Sequence, residues 1–151
     1  MVRDVTHVVR RAELDEVLPL RHSVLRPGRP STASHYDADA GAVHVGAWES
    51  DEIVGCGTVF PQAWDGPPPE PLAWRLRGMA VRPDRHGQGI GRLVLTALVD
   101  AAAEAGAPVI WANARSTALP FYLRQGWQIA GEEFVTAATG LPHFPILRNH
   151  G

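Results

Sequence analysis

Apolar and polar positions change rhythm several times along the chain, and each rhythm predicts an element. "VTHVV", Val5 to Val9, has the look of a short strand, and from Ala12 to Leu25 the residues Leu14, Val17, Leu18 and Leu25 gather on one side of a helix. Pro19 interrupts that helix, as a kink or as a restart. Residues 26–41, "RPGRPSTASHYDADAG", are rich in Pro, Gly and Ser and predict a loop with room for a helical turn. "AVHVGAW" and "EIVGCGTVF", joined at Ser50-Asp51, then predict a β-hairpin. Residues 61–71, "PQAWDGPPPEP", are too dense in proline for a ladder and read as a surface loop, either a lid carrying Trp64 or a rigid connection.

Beyond it "LAWRLRGMAVRP" is strand-like, with Leu76, Met79 and Val81 apolar. The strongest helical signal follows: Ile90, Val94, Ala97, Leu98 and Ala101 share one face, and Gly106 stands where a C-cap belongs. "PVIWANA" is the continuous apolar run of a strand buried on both faces. "TALPFYLRQG" predicts a short helix stopped by Gly126, and "WQIAGEEFV" and "HFPILR" predict closing strands. Trp74 and Trp111, at strand positions, read as core. No repeat or linker divides the chain, so the expectation is one α/β domain with a mixed sheet over residues 1–151.

Composition narrows the chemistry. A net charge of -2 gives no bulk attraction for nucleic acid. All fourteen basic residues are Arg; without Lys there is neither Schiff-base chemistry nor a Walker-type phosphate lysine. Cys56 is the single cysteine, flanked by Gly55 and Gly57, and reads as a small buried residue. The seven His are scattered, no two at i and i+4, so no metal is expected. No signal peptide or membrane-length apolar run is present, so the expected address is the cytoplasm, with no membrane partner.

One stretch asks for a ligand. "RHGQGIGR", Arg85 to Arg92, lies between the strand ending near Val81 and the long helix. Glycines there let the backbone come close to a ligand and adopt positive φ, and the helix start offers unpaired N–H groups at the positive end of its dipole. That is an anion site, most naturally for phosphate. Arg85 and Arg92 could add charge-assisted contacts. The dinucleotide fingerprint does not fit, because the third glycine comes one residue early and Asn113, not an acid, ends the following strand.

The stretch resembles the acyl-CoA motif Q/R-x-x-G-x-G/A of the GCN5-related N-acetyltransferases, matched by His86, Gly87, Gln88, Gly89, Ile90 and Gly91, with His86 departing from Gln or Arg. "ALPFYLRQGW" resembles the same family's A-x-x-F-Y-x-x-x-G-F/W segment, and "WANAR" and "GLPHF" are similar to one branch of it. The likeness covers residues 72–147 by motif and the first 70 by element order alone.

The resemblance implies a mixed, mostly antiparallel sheet flanked by helices and splayed at the acyl-CoA site. It implies acetyl-CoA as acyl donor, with main-chain groups of Met79, Ala80 and Val81 along the pantetheine arm and an oxyanion N–H among them. The pyrophosphate would rest on the N–H groups of Gly87 to Arg92, and Asn113 would be either a contact to the arm or a capping residue. Tyr122 is implied as the acid that protonates the departing thiolate, and Phe121 as core. For the base the candidates are His143, ranked first because the "GLP" turn would hold it, then Glu132, Glu133 and His44. Arg21, Arg26 and Arg29, on or after the first helix, are either a carboxylate site for the acceptor or solvated surface charge. The expected activity is acetyl transfer to a primary amine of a small molecule or peptide. The alternatives are another acyl donor or an oxygen acceptor, or a sensor that binds acyl-CoA without turnover. Many members of the family pair as dimers, so the resemblance leaves a homodimer open.

Overall fold

A computed structural model of the chain describes residues 7–30 and 34–150. The backbone gathers into two compact units, each discontinuous in sequence: residues up to Phe60 with Leu76–Ala101, and Pro61–Arg75 with Ala102 onward.

In the first unit, β1 (His7–Ala12) pairs antiparallel with β2 (Val43–Glu49), and β2 with β3 (Glu52–Pro61). The strand expected from Val5 begins at His7 within the described residues and runs on to Ala12. Ser50, at φ 53, makes the tight hairpin turn, and the ladder slips by a bulge between Ala47 and Trp48. Next in the order comes β4 (Trp74–Val81), of which Leu76–Val81 belong to this unit. Helix α1 (Leu14–Leu25) starts at a capping box, in which the Glu13 N–H donates to Glu16 Oε1 at 2.8 Å. It runs through Pro19 without a restart.

The alternation of β3 explains how two helices find their places. Cys56 packs with Val17 and Leu20 of α1 and with Ala80. Gly55 and Gly57 point the other way, toward helix α2 (Ile90–Glu104): a Cβ on Gly55 would lie 2.6 Å from Ile90 Cγ2, and one on Gly57 2.6 Å from Leu98 Cδ1. Two missing side chains thus let α2 seat directly on the strand. Ile90, Val94 and Leu98 are no more than 1% exposed, each contributing about 1.5–3 kcal/mol of burial. Gly106, at φ 90, ends the helical turn as expected.

In the second unit, β5 (Val109–Arg115) pairs in parallel with the start of β4, through Trp74↔Ile110 and Arg75↔Trp111, and antiparallel with β8 (Pro142–Asn149) over its whole length. The short helix α3 (Leu119–Arg124) is closed by Gly126 at φ 90. The expected strand "WQIAGEEFV" is broken into β6 (Gln128–Ile129) and β7 (Phe134–Val135), both paired with β8. The cause lies on β8: Pro145 has no N–H to donate, its carbonyl takes the Ala130 N–H at 2.8 Å, and its ring sits 2.7 Å from where a Gly131 Cβ would be. The proline-rich loop is a rigid connection, since Trp64 and Glu70 exchange two backbone hydrogen bonds of 2.9 Å. Trp64 also packs on Trp111 with ring centroids 5.5 Å apart, and the Trp111 indole donates to Gln62 O at 2.9 Å. Trp111 is core as expected, whereas Trp74 is only half-buried. All strand pairs but β4–β5 with assigned register are antiparallel, so the sheet is mixed and mostly antiparallel, with helices flanking it.

Candidate active site

The loop into α2 is built by alternation of backbone hand. Gly87 and Gly89 both have φ 80, while Gly91 lies inside the helix. Left-handed residues at every second position turn successive N–H groups toward a common concavity, which is how a backbone makes an anion nest. The Gly89 carbonyl accepts from Leu93 N–H at 3.2 Å and so opens the helix, leaving the Ile90, Gly91 and Arg92 N–H groups without intrahelical partners. No Cβ contact would crowd Gly87, and Gly89 meets only Arg92 Nη2 at 3.7 Å; backbone hand, not space, is why these positions are glycine.

The cations around the loop divide sharply. Arg85 donates from Nε to Glu49 at 2.8 and 3.0 Å and from Nη1 to Asp84 at 3.2 Å. This contact, with the His7 hydrogen bond, pulls the Glu49 carboxyl down to about 2. Arg92 is exposed and forms no ion pair among the described residues. His86 reaches back to the Val81 carbonyl at 3.2 Å, tying the loop to the end of β4.

The second unit holds the other candidates. Tyr122 is 7% exposed, edge-on to Phe121 and Trp127, and burial alone pushes its hydroxyl well above the ordinary phenol value. Among the described residues nothing hydrogen-bonds that hydroxyl. Asn113 is half-buried on β5, opposite Pro145, a residue that presents no N–H. His143 is 6% exposed and paired across the ladder with Arg115 and with Phe134, whose ring lies 6.3 Å away. Its Nδ1 donates to Leu141 O at 2.8 Å, which leaves the lone pair of the neutral ring on Nε2. Glu132 and Glu133 are exposed, and Glu133 accepts from Ser116 Oγ at 2.6 Å.

The remaining base candidate is occupied. His44 Nε2 donates to Asp39 O at 3.3 Å, so Nδ1 takes the Thr58 hydroxyl proton at 2.9 Å. Burial, the largest influence, and the nearby Arg21 charge lower its pKa. Thr58 in turn accepts from Arg21 Nη2 at 2.8 Å, and Arg21 Nη1 binds Asp39 Oδ2 at 3.0 Å and Ser34 O at 2.9 Å. Arg21 is 1% exposed, so it is neither an open carboxylate site nor solvated charge: it is the hub of a buried network. Burial holds the Cys56 thiol up at about 12, which keeps it inert. Arg29 is exposed, and no group of metal-ligating side chains gathers among the described residues.

The model of the acetyltransferase (GNAT) family matches residues 11–127, across both units. The chain belongs to that family. This GNAT chain is 28% identical over 133 residues to YitI, an uncharacterized N-acetyltransferase of Bacillus subtilis (strain 168), covering 83% of this chain and 85% of the relative. Solved structures share its fold, and two serve as examples. The IAA acetyltransferase of Bacillus cereus ATCC 14579 superposes with TM-score 0.73 at 15% identity, over 95% of this chain and 99% of that one. A GNAT family acetyltransferase from Elizabethkingia anophelis, with acetyl-CoA bound, gives TM-score 0.70 at 14% identity, over 97% and 100%. No helix among the described residues is long and apolar enough to cross a membrane.

Two features of this GNAT chain escaped sequence reading. Arg21 is buried against residues far from it in sequence, and Gly78, inside β4, has φ 71. The second had a signal, since a glycine within a strand pattern marks a bulge or a close approach.

Proposed function

We propose that this chain is an N-acetyltransferase that moves the acetyl group of acetyl-CoA to a primary amine by direct attack, over one domain spanning residues 1–151. The observation that carries the reading is the alternating left-handed pair Gly87 and Gly89 at the mouth of α2, a cradle suited to the cofactor's pyrophosphate. Gly87, Gln88, Gly89, Ile90, Gly91 and Arg92 supply backbone N–H groups, and exposed Arg92 supplies the charge that His86 does not. Met79, Ala80 and Val81 offer main-chain partners to the pantetheine arm and an N–H to the carbonyl oxygen as it gains charge. Asn113, with no competing hydrogen bond among the described residues, is assigned to the same arm.

Transfer needs a neutral amine. Its nitrogen bonds to the thioester carbon, the carbon–sulfur bond breaks, the nitrogen loses a proton, and the sulfur gains one. Tyr122 is assigned the last step: a phenol whose pKa burial has raised stays protonated, and its hydroxyl has no other acceptor. His143, with Nε2 open, is assigned the amine proton, and Glu133 is the second candidate. An enzyme of acetyl-CoA fits a cytoplasmic address.

Parallel calorimetric titrations with acetyl-CoA, free CoA, NAD and ATP test the reading. Heat from the two CoA species alone is the expected result, followed by an amine screen read as CoA release. Binding of neither overturns the acetyltransferase assignment.

A further inference from the structure

The first unit carries an arginine that its surroundings do not neutralise. Arg77, on β4, lays its guanidinium over the Tyr36 ring at 3.9 Å, and Arg21 approaches the same ring at 4.2 Å. Strand alternation would put Arg77 with Met79, whose sulfur packs toward Gly57 and α2. Gly78 at φ 71 breaks that alternation and brings Arg77 to the α1 side, where Ala80 packs with Val17 and Leu20. A strand residue has thus been re-aimed by a bulge-like glycine, the device found where a side chain must face a site.

The charges gathered there do not balance. Among the described residues neither Arg77 nor Arg26 lies within ion-pair distance of a carboxylate. The nearby acid Asp39 takes two hydrogen bonds from Arg21 and one from the Tyr36 N–H. Among the described residues the Arg26 side chain donates to the Leu25 carbonyl, at 3.1 Å. Burial, and the charges of Arg26 and Arg21, push the Arg77 guanidinium below its ordinary value, against the opposing influence of Tyr36 and Asp39. At Gly78 the backbone itself closes on this cluster and leaves no room for a side chain: a Cβ there would be 3.0 Å from Arg21 Nε and 3.4 Å from the Tyr36 hydroxyl. Arg21 Nε is itself buried without a hydrogen-bond partner.

We propose that Arg77, re-aimed by Gly78 and backed by Arg26, binds the carboxylate of the acceptor, so that the amine acetylated by this enzyme is an amino acid or another carboxylate-bearing amine. A planar guanidinium stacked on an aromatic ring keeps its N–H edge for a bidentate partner, and a carboxylate matches that edge. The proposal rests on the acetyltransferase reading for the word acceptor, but the anion site stands on its own geometry.

The test uses the protein amino acids, each beside its carboxamide, with acetyl-CoA and CoA release as readout. The expected kcat/KM for the acid exceeds that for its amide by about tenfold to a hundredfold, mainly through KM. Arg77→Met keeps the stem over Tyr36 and should erase most of that ratio, with Arg77→Lys restoring part of it. Equal or better turnover of the amides, or an unchanged ratio in Arg77→Met, overturns the proposal. A second readout needs no turnover: phenylglyoxal modification of Arg77, mapped by mass spectrometry, should slow about tenfold with the amino-acid mixture but not with the amides. Lack of protection overturns the carboxylate site even if no amine is acetylated. Titration of each variant with acetyl-CoA separates the failures: Arg77 protected in a protein that binds no acetyl-CoA keeps this site and removes the acetyltransferase.

Discussion

Two polar regions of the first unit treat their donors in opposite ways. Around Arg21 both terminal nitrogens, the Asp39 carboxylate, the Thr58 hydroxyl and both ring nitrogens of His44 have partners inside the protein. At the mouth of α2 the backbone N–H groups face outward with none from the helix. The first arrangement holds α1, the Asp37–Gly41 helical turn and the hairpin in register. The second is a set of donors kept in shape for something else. Charge alone therefore says little about function here; whether the hydrogen-bonding valence is already filled says more. In the second unit Tyr122 likewise keeps an open hydroxyl, whereas both ring nitrogens of His44 are filled.

The comparison can be broken most severely at Tyr122. Tyr122→Phe should lower kcat about 10²–10⁴-fold, the range of a lost general acid, with acetyl-CoA affinity held when measured by calorimetry. Unchanged turnover would put the proton elsewhere. Arg21→Met should cost about 3–5 kcal/mol in denaturant unfolding, because Asp39 would remain buried without its cation. A loss under 1 kcal/mol, on the scale of about that for exposed pairs, would mean that the network is ornamental. Gly89→Asp puts a carboxylate into the nest and beside Arg92, and should weaken acetyl-CoA binding about a hundredfold, beyond the loss of about 1–2 kcal/mol in unfolding that the left-handed backbone imposes on any side chain there.

The smallest effect is a matter of pH. His44 titrates below its ordinary value in the folded protein, so the unfolded chain takes up its proton first as the solution is acidified. Its contribution is complete above about pH 6.5 and is lost progressively as pH falls toward the depressed folded value. The melting temperature of His44→Gln should accordingly depend less on pH between about 7.5 and 5 than that of the parent chain. An unaltered slope would show that another group carries the acid sensitivity.

Helix α2 and its loop were legible in the sequence because both signals are local: apolar residues at helical spacing, and glycines where left-handed backbone is needed. The mixed sheet was legible from the order of runs. The split of β6 from β7 was not, because its cause, Pro145, lies on the partner strand and acts only through the ladder. Arg21 was misread for a similar reason. A charged residue is surface by default, and its partners Asp39 and Thr58 lie 18 and 37 residues away in sequence. The open valence of Tyr122 is a property of packing that no motif displays. Arg77 was hidden by Gly78, whose positive φ overrides the alternation that sequence reading assumes.

The interleaving of the two units bears on how the chain is made. All residues of the first unit have been joined once Ala101 is added, with Pro61–Arg75 among them as an unfinished insert. Once α2 is complete and free to fold it can close on Gly55 and Gly57 and shape the glycine loop, while Trp74 and Arg75 still lack the β5 residues they pair with. No contiguous fragment holds the second unit without also holding Leu76–Ala101. Truncation from the C-terminus therefore removes β8 and then Tyr122 before it reaches the glycine loop. A released fragment ending just past Glu104 would be the place to look for the glycine loop without the rest of the second unit's second segment.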